Sequence, residues 1–264
     1  MRPAQTLPNI AEILPGVIEK RLTARTLHEP EAVARLRAEA ILLRALGGRV
    51  TPALLDAGED SRGPWLHMGK ISSPTLAERL DNARGPLATA WIECASRAAF
   101  DALAVVHEAA DGAGALDVVH ADISPANLAI DDAGAHVTLL DFELACFRGS
   151  PARDGAFRGT AAFTAPEVAR GESPTPKSDL YSLAATLAAA ALGRSPRPPL
   201  PLPALLATAA EVEIIDDELR ALGARGPAHA ALLRCLAHDP ASRPASAREI
   251  ALSLRTIPLP NSAR

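Results

Sequence analysis

The chain has 264 residues, of which 48% are hydrophobic, 3% aromatic and 22% charged. This length is typical of one large domain or two small ones, and the apolar fraction is large enough for a sizeable core. The formal net charge of −4 at pH 7 gives no indication of a nucleic-acid binder or a membrane-surface binder.

The cysteine content and the hydropathy pattern indicate the cellular compartment of the protein. Cys94, Cys146 and Cys235 are far apart and match neither zinc-site nor disulfide spacings. Reduced thiols are typical of the cytosol, and the N-terminus lacks the basic and apolar pattern of a secretion signal. The longest run of small apolar residues, 183–192, is shorter than the roughly 20 residues that span a bilayer. We therefore expect a cytoplasmic protein without a membrane partner.

The N-terminal part of the chain predicts a helix preceded by one strand. Residues 1–29 contain a strand pattern at 17–22 and are otherwise irregular. The apolar side chains of residues 30–46 recur on one helical face, and Gly47-Gly48 ends this helix. Three further elements are predicted downstream: strands at 54–55 and 65–68, and a long helix at 86–110.

A β-hairpin is predicted in the middle of the chain. Leu128 to Ile130 form a short strand, residues 131–134 (Asp-Asp-Ala-Gly) are a turn signal, and His136 to Leu140 alternate as a second strand. The two open ends of a hairpin lie side by side, so polar residues that flank the strands should become neighbours.

Three such residues carry oxygen ligands. Asn127 immediately precedes the first strand, Asp141 follows the second, and Asp122 lies five residues before Asn127. Two carboxylates and an amide oxygen can hold a hard cation such as Mg²⁺. This pattern points to phosphoryl transfer.

The C-terminal part of the chain reads mainly as helices. Ser178 is placed to cap a helix that runs to Leu192 and ends at Gly193. The proline-rich residues 196–203 should be extended, and we favour a stiff connection over a peptide-docking motif. Helices should fill the chain to about residue 256.

The hairpin region resembles the catalytic and metal-binding loops of eukaryotic-like (Hanks-type) Ser/Thr protein kinases. His120-Ala121-Asp122 with Asn127 resembles the family's H-R-D-x-x-x-x-N, and Asp141-Phe142-Glu143 resembles D-F-G. Three more motifs follow in the family's order: residues 159–167 resemble G-T-x-x-Y-x-A-P-E, residues 178–183 the start of the central large-lobe helix, and residues 239–244 D-P-x-x-R-P. Five ordered motifs are far more specific than any one of them.

The resemblance implies a two-lobed α+β fold with a shortened N-terminal lobe and a mostly helical C-terminal lobe. Residues 1–71 would form the truncated N-terminal lobe and hinge. Residues 72–256 would form the C-terminal lobe with the catalytic and metal-binding loops, and residues 257–264 a tail.

The resemblance also implies roles for the three polar residues. Asp122 would orient the attacking hydroxyl and accept its proton, while Asn127 and Asp141 would hold Mg²⁺, with Mn²⁺ as the alternative, against the phosphates of ATP. Taken alone, each of the three is more often a turn or cap residue. Their combination in this motif set favours the functional role.

Lys20 and Glu39 are the candidates for the lysine that anchors the phosphates and its carboxylate partner. Residues 17–20 (Val-Ile-Glu-Lys) loosely resemble the family's V-A-I-K. Glu39 lies between Leu36 and Leu43 on the predicted inner face of a helix, where a carboxylate needs a cation. The alternative is that both are ordinary surface charges.

Three residues align by pattern with the hinge between the lobes. Gly69 and Ile71 could hydrogen-bond an adenine through their backbone groups, next to Met68. A plain boundary between a strand and a loop explains the same residues almost as well.

Other matching residues are expected to support the scaffold. His120 and Phe142 should pack in the core, and Asp179 should hold the backbone of the catalytic loop. Glu167 and Arg243 should form an ion pair between the end of the activation segment and a late helix.

Three of the places where the sequence departs from the family bear on function. The residues before Lys20 contain only one glycine, Gly16, so the glycine-rich loop and its two flanking strands have no counterpart. Ala121 replaces the arginine that commonly receives an activation-segment phosphate, which favours either constitutive competence or a different regulatory partner. Glu143 replaces the glycine of D-F-G, as in the kinase domains of some lanthipeptide synthetases and in many aminoglycoside-type kinases.

Three functions therefore remain open. The first is a kinase that phosphorylates Ser or Thr of a protein or peptide. The second is a pseudokinase that regulates a partner, favoured by the missing loop. The third is a peptide-modifying or small-molecule kinase, favoured by Glu143.

Overall fold

A four-stranded antiparallel sheet forms the N-terminal part of the computed structural model, which describes residues 9–83, 85–152, 155–215 and 217–255. The strands are β1 (Asn9–Leu14), β2 (Val17–Arg21), β3 (Leu54–Asp60) and β4 (Gly63–Gly69), in the order β1-β2-β4-β3. The expectation that residues 1–29 hold one strand is wrong, because β1 pairs with β2 across a turn at Pro15-Gly16. Residues 1–8 lie outside the described residues.

Helix α1 (Pro30–Leu46) packs against this sheet, as the apolar periodicity predicts. Leu36, Leu43 and Leu46 on its inner face are buried. Gly47 ends the helix in the left-handed conformation, with φ of 64°, a region that costs residues with a Cβ free energy.

The C-terminal part consists mainly of helices around two small hairpins. Its elements are α2 (Leu76–Asn82), α3 (Thr89–His107), β5 (Ala110–Asp111), β6 (Gly114–Ala115), β7 (Leu128–Ile130), β8 (Val137–Leu139), α4 (Pro166–Ala169), α5 (Pro176–Leu192), α6 (Leu202–Glu211), α7 (Asp217–Gly223), α8 (Pro227–Cys235) and α9 (Ala247–Arg255). Helix α2 has no counterpart among the predicted elements. The hairpin of β7 and β8 is confirmed.

Helix α5 is the centre of the C-terminal core. Every residue from Leu183 to Leu192 is buried, and α3, α7 and α8 pack around it. The alanines of this stretch allow neighbouring helices to approach closely. This arrangement explains how a chain with 3% aromatic residues can still form a large core.

Two predicted boundaries in this region are wrong. Thr175, not Ser178, caps α5, and the two side chains form a reciprocal capping box. The extended proline-rich stretch ends at Pro201, because Leu202 already begins α6 and proline is tolerated in the first turn of a helix.

The proposed division at residues 71 and 256 stays a prediction, and the tail of residues 257–264 lies outside the described residues. Among the described helices, none combines the length and the apolar character that crossing a bilayer requires. This architecture corresponds to the expected α+β class, with a small sheet-rich N-terminal part and a helical C-terminal part.

Candidate active site

Lys20 and Glu39 form a buried ion pair between the sheet and α1. Lys20 lies opposite Leu66 in the β2–β4 register, and residues directly opposite on neighbouring strands share a face, so its side chain points inward. Its Nζ lies 2.7 Å from Glu39 Oε2 and 3.0 Å from Oε1. Both side chains are only 2% exposed. The alternative that they are surface charges is therefore wrong.

The loop after β8 brings a second carboxylate to the same lysine. Asp141 Oδ1 accepts a hydrogen bond from Lys20 Nζ at 2.7 Å. Asp141 has a φ of 57°, an uncommon backbone conformation for a residue other than glycine. The amide of Phe142 donates to Glu39 Oε1 at 3.2 Å, so the loop is also attached to α1.

The charges of this cluster do not balance around the lysine. Burial alone lowers the pKa of Lys20, but the carboxylates of Glu39, Asp141 and Glu143 outweigh it and hold the pKa above its usual range. Burial raises the pKa of Glu39 to about 7, against the opposing effect of Lys20. Burial also acts to raise the pKa of Asp141, yet Lys20 keeps that pKa below its ordinary value. One ammonium group among three carboxylates leaves negative charge that a bound cation can offset.

Asp122 and Asn127 lie together at the open end of the hairpin, as the sequence predicts. The amide nitrogen of Asn127 donates to the Asp122 carbonyl oxygen at 2.9 Å and to its Oδ2 at 3.2 Å. The backbone amide and the hydroxyl of Thr160 both donate to Asp122 Oδ1 at 2.8 Å. Burial raises the pKa of Asp122, while the Thr160 hydroxyl acts in the opposite direction.

Asp179 fixes the backbone of the loop that carries Asp122. Its carboxylate accepts hydrogen bonds from the amides of His120 and Ala121, at 2.7 and 3.0 Å. Ala121 has a φ of 65°, so these bonds hold a backbone conformation that alanine rarely adopts. The sequence did not indicate the His107 ring, which lies 3.0 Å from Asp179 Oδ2.

Both ring nitrogens of His120 have backbone partners. This residue is fully buried, and its Nε2 lies 3.0 Å from the Leu140 carbonyl oxygen while its Nδ1 accepts from the Asp122 amide. Its ring contacts that of Phe142, with the centroids 4.6 Å apart. The histidine thus connects the loop that carries Asp122 to the residue that precedes Asp141.

The donor atoms that remain free suit a hard cation. Asn127 keeps its side-chain oxygen and Asp141 its Oδ2 without a hydrogen-bond partner among the described residues. No cluster of three or more His, Cys, Asp or Glu side chains in the described part of the chain forms a metal site by itself. A cation here would need further oxygen ligands from a phosphate or from water, as Mg²⁺ commonly takes.

The three residues predicted to form the hinge differ in their free backbone groups. Met68 is buried at the end of β4. The Gly69 amide already donates to the Ala53 carbonyl at 2.9 Å. Ile71 forms no backbone hydrogen bond within the described residues, so both of its backbone groups are open to a ligand.

Comparisons with known proteins give one consistent family. Residues 17–251 match the model described as "Protein kinase domain". The chain is 35% identical over 166 residues to serine/threonine-protein kinase PknL of Mycobacterium bovis, covering 62% of this chain and 39% of that protein. It is 37% identical over 249 residues to PknK of Mycobacterium tuberculosis, covering 93% of this chain and 21% of that protein. The chain thus spans about two fifths or less of the length of these curated relatives.

Proposed function

Because this chain belongs to the protein kinase family, we propose that it transfers the γ-phosphoryl group of ATP to a serine or threonine hydroxyl of a protein or peptide. The relatives reported above are named serine/threonine-protein kinases, which supports the acceptor class. Mg²⁺ is the proposed metal, and Mn²⁺ the alternative.

The observation that carries this proposal is the convergence of Lys20, Asp141, Asn127 and Asp122 from three separate segments. Lys20 belongs to β2, Asp141 follows β8, and the other two precede β7. The ion pair with Glu39 and the contact with Asp141 hold Lys20 ready for a phosphate. Phosphoryl transfer depends mainly on such positioning and on neutralising charge.

Each residue has a distinct proposed role. Asp122 orients the acceptor hydroxyl and accepts its proton, with Thr160 fixing one of its carboxylate oxygens. Asn127 and Asp141 would hold the metal, which would supply positive charge to offset that of the phosphates. Lys20 binds the phosphates, and the free backbone groups of Ile71 are the proposed contacts for the adenine.

The test is nucleotide binding together with phosphate transfer in wild type and Asp141→Ala. Nucleotide with Mg²⁺ should raise the melting temperature of wild type in a concentration-dependent way, and phosphate should appear on Ser or Thr of a peptide library. The variant should fold but lose both effects. The matched control is Asp132→Ala, which changes an aspartate at the far turn of the same hairpin and should behave as wild type. Unchanged turnover in Asp141→Ala would refute the mechanism.

One observation favours a second candidate, a pseudokinase that regulates a partner. In residues 9–20 the chain makes a tight β1–β2 turn at Pro15-Gly16 and contains no glycine-rich loop that could cover phosphates. Binding of nucleotide without phosphate transfer to any peptide, or no binding at millimolar concentration, would support this candidate.

A cytosolic location is also part of the proposal. The three cysteines are free in the structure, which supports a reducing compartment.

Ala121 leaves the catalytic loop without an arginine to receive a phosphate, which supports a regulatory partner over control by activation-segment phosphorylation.

A further inference from the structure

Glu143 lies between two cations that belong to different parts of the site. Its Oε2 is 3.9 Å from Lys20 Nζ and its Oε1 is 3.5 Å from Arg35 Nε. Its backbone amide donates to Asp141 Oδ1 at 3.4 Å. The side chain is 21% exposed, so solvent screens these interactions only in part.

Arg35 extends from the same face of α1 as Glu39. The two residues are four positions apart, one turn of a helix. The Nε of Arg35 is buried and forms no hydrogen bond. The carboxylate of Glu143 lies 3.5 Å from this Nε, and that of Glu31 lies 3.6 Å from Arg35 Nη1. Glu31 is 60% exposed, so Glu143 is the better-shielded partner.

A carboxylate at position 143 disturbs the charge balance around Lys20 unless another cation binds it. Glu143 can reach Lys20 in competition with Glu39 and with an incoming phosphate. Its negative charge also acts to raise the pKa of Glu39, which weakens the charged form of the Lys20 partner. Arg35 opposes both effects, because its guanidinium lies 3.5 Å from Glu143 Oε1 and offsets the charge of that carboxylate.

We propose that Arg35 and Glu143 form a matched latch that ties the Asp141 loop to α1 and keeps Glu143 beyond hydrogen-bonding distance of Lys20. Both act as positioning residues through Lys20 and the Asp141 loop. The consequence for nucleotide binding rests on the function proposed above. The attachment of the loop to α1 does not, because the 3.5 Å ion pair between Arg35 and Glu143 is present without ligand.

The latch predicts that the harm done by losing Arg35 depends on Glu143. In Arg35→Met, Glu143 is free to pair with Lys20, and the affinity for an unhydrolysable ATP analogue with Mg²⁺ should fall about tenfold, within the range seen for coupled neighbours. In the double variant Arg35→Met/Glu143→Gln no charge competes for Lys20, so the affinity should return to within about threefold of Glu143→Gln alone. Arg37→Met is the control, because Arg37 lies on the same helix in an exposed pair with Glu59.

Two measurements on these variants decide the proposal. Calorimetric titration gives the affinity for the analogue, and urea unfolding without nucleotide gives a double-mutant cycle on stability. Rescue of binding by the second substitution, with non-additive stabilities, supports the latch. Wild-type affinity in Arg35→Met, or additive losses in both measurements, overturns it. If wild type binds no analogue, the proposed function fails, and the urea cycle alone then decides the latch: non-additive stabilities support it and additive ones overturn it.

Discussion

Removing the carboxylate of Glu167 should lower the free energy of unfolding, because a buried arginine then lacks its counter-charge. Arg243 and Glu167 form a bidentate pair with distances of 2.7 and 2.8 Å, and their side chains are 0% and 4% exposed. The pair joins α4, at the end of the activation segment, to the residues that precede α9. In Glu167→Ala the guanidinium stays buried without its counter-charge.

The size of the effect follows from what remains around Arg243. Breaking a buried pair by removing one partner costs about 3–5 kcal/mol. Three backbone carbonyls, of Ala237, Lys177 and His238, still accept its hydrogen bonds, so we expect a value near the lower end, about 3 kcal/mol. Replacing both residues by methionine removes both charges and should cost less than the sum of the two single changes.

Urea unfolding measures this prediction directly. With an m-value of about 3 kcal/mol/M, the midpoint of Glu167→Ala should fall by roughly 1 M. Glu59→Ala is the control, because the Arg37–Glu59 pair is 57% and 52% exposed and such pairs contribute about 0–1 kcal/mol. A midpoint for Glu167→Ala no lower than that of the control would refute the reasoning.

Two further predictions concern single hydroxyl groups. Thr160→Val removes a hydroxyl donor that stabilises the Asp122 carboxylate, so the pKa of Asp122 should rise further above its usual range. The acid limb of the profile of kcat/KM against pH should then shift to higher pH by about half to one unit. Thr160→Ser should keep the wild-type profile, and an unshifted limb in Thr160→Val would contradict this role. Tyr181→Phe removes the acceptor of a 2.8 Å bond from the buried Arg197 and should cost about 1–3 kcal/mol in urea unfolding, whereas superimposable unfolding curves would show that the bond contributes nothing.

Local spacing was sufficient to predict the part of the site that one hairpin builds. Asn127 and Asp141 flank two adjacent strands, so the turn between them already requires their proximity. The same holds for α1, where the apolar period and the glycines at its end predict the helix and its inward-facing Glu39. These features depend on backbone geometry over fewer than about 20 residues.

Contacts between distant segments were not predictable in this way. Three consecutive charges, Glu19, Lys20 and Arg21, concealed which side chain faces inward, and the pairing of Lys20 with Leu66 decided it. Whether Gly69 or Ile71 keeps a free amide depended on Ala53, because the Ala53 carbonyl oxygen accepts a hydrogen bond from the Gly69 amide. Arg35 and Glu143 carry no local signal, because nothing near either residue specifies the other.

The sequence by itself determined the family, the hairpin that carries Asn127 and Asp141, and the identity of the polar residues, because these follow from motif order and short-range backbone periodicity. Only the tertiary structure decided that one buried ammonium group is shared by Glu39, Asp141 and Glu143. Lys20 and Asp141 are 121 positions apart, and their contact exists only because the sheet, α1 and the β7–β8 hairpin pack together. The charge balance of the site is therefore a property of that packing, which no local pattern encodes.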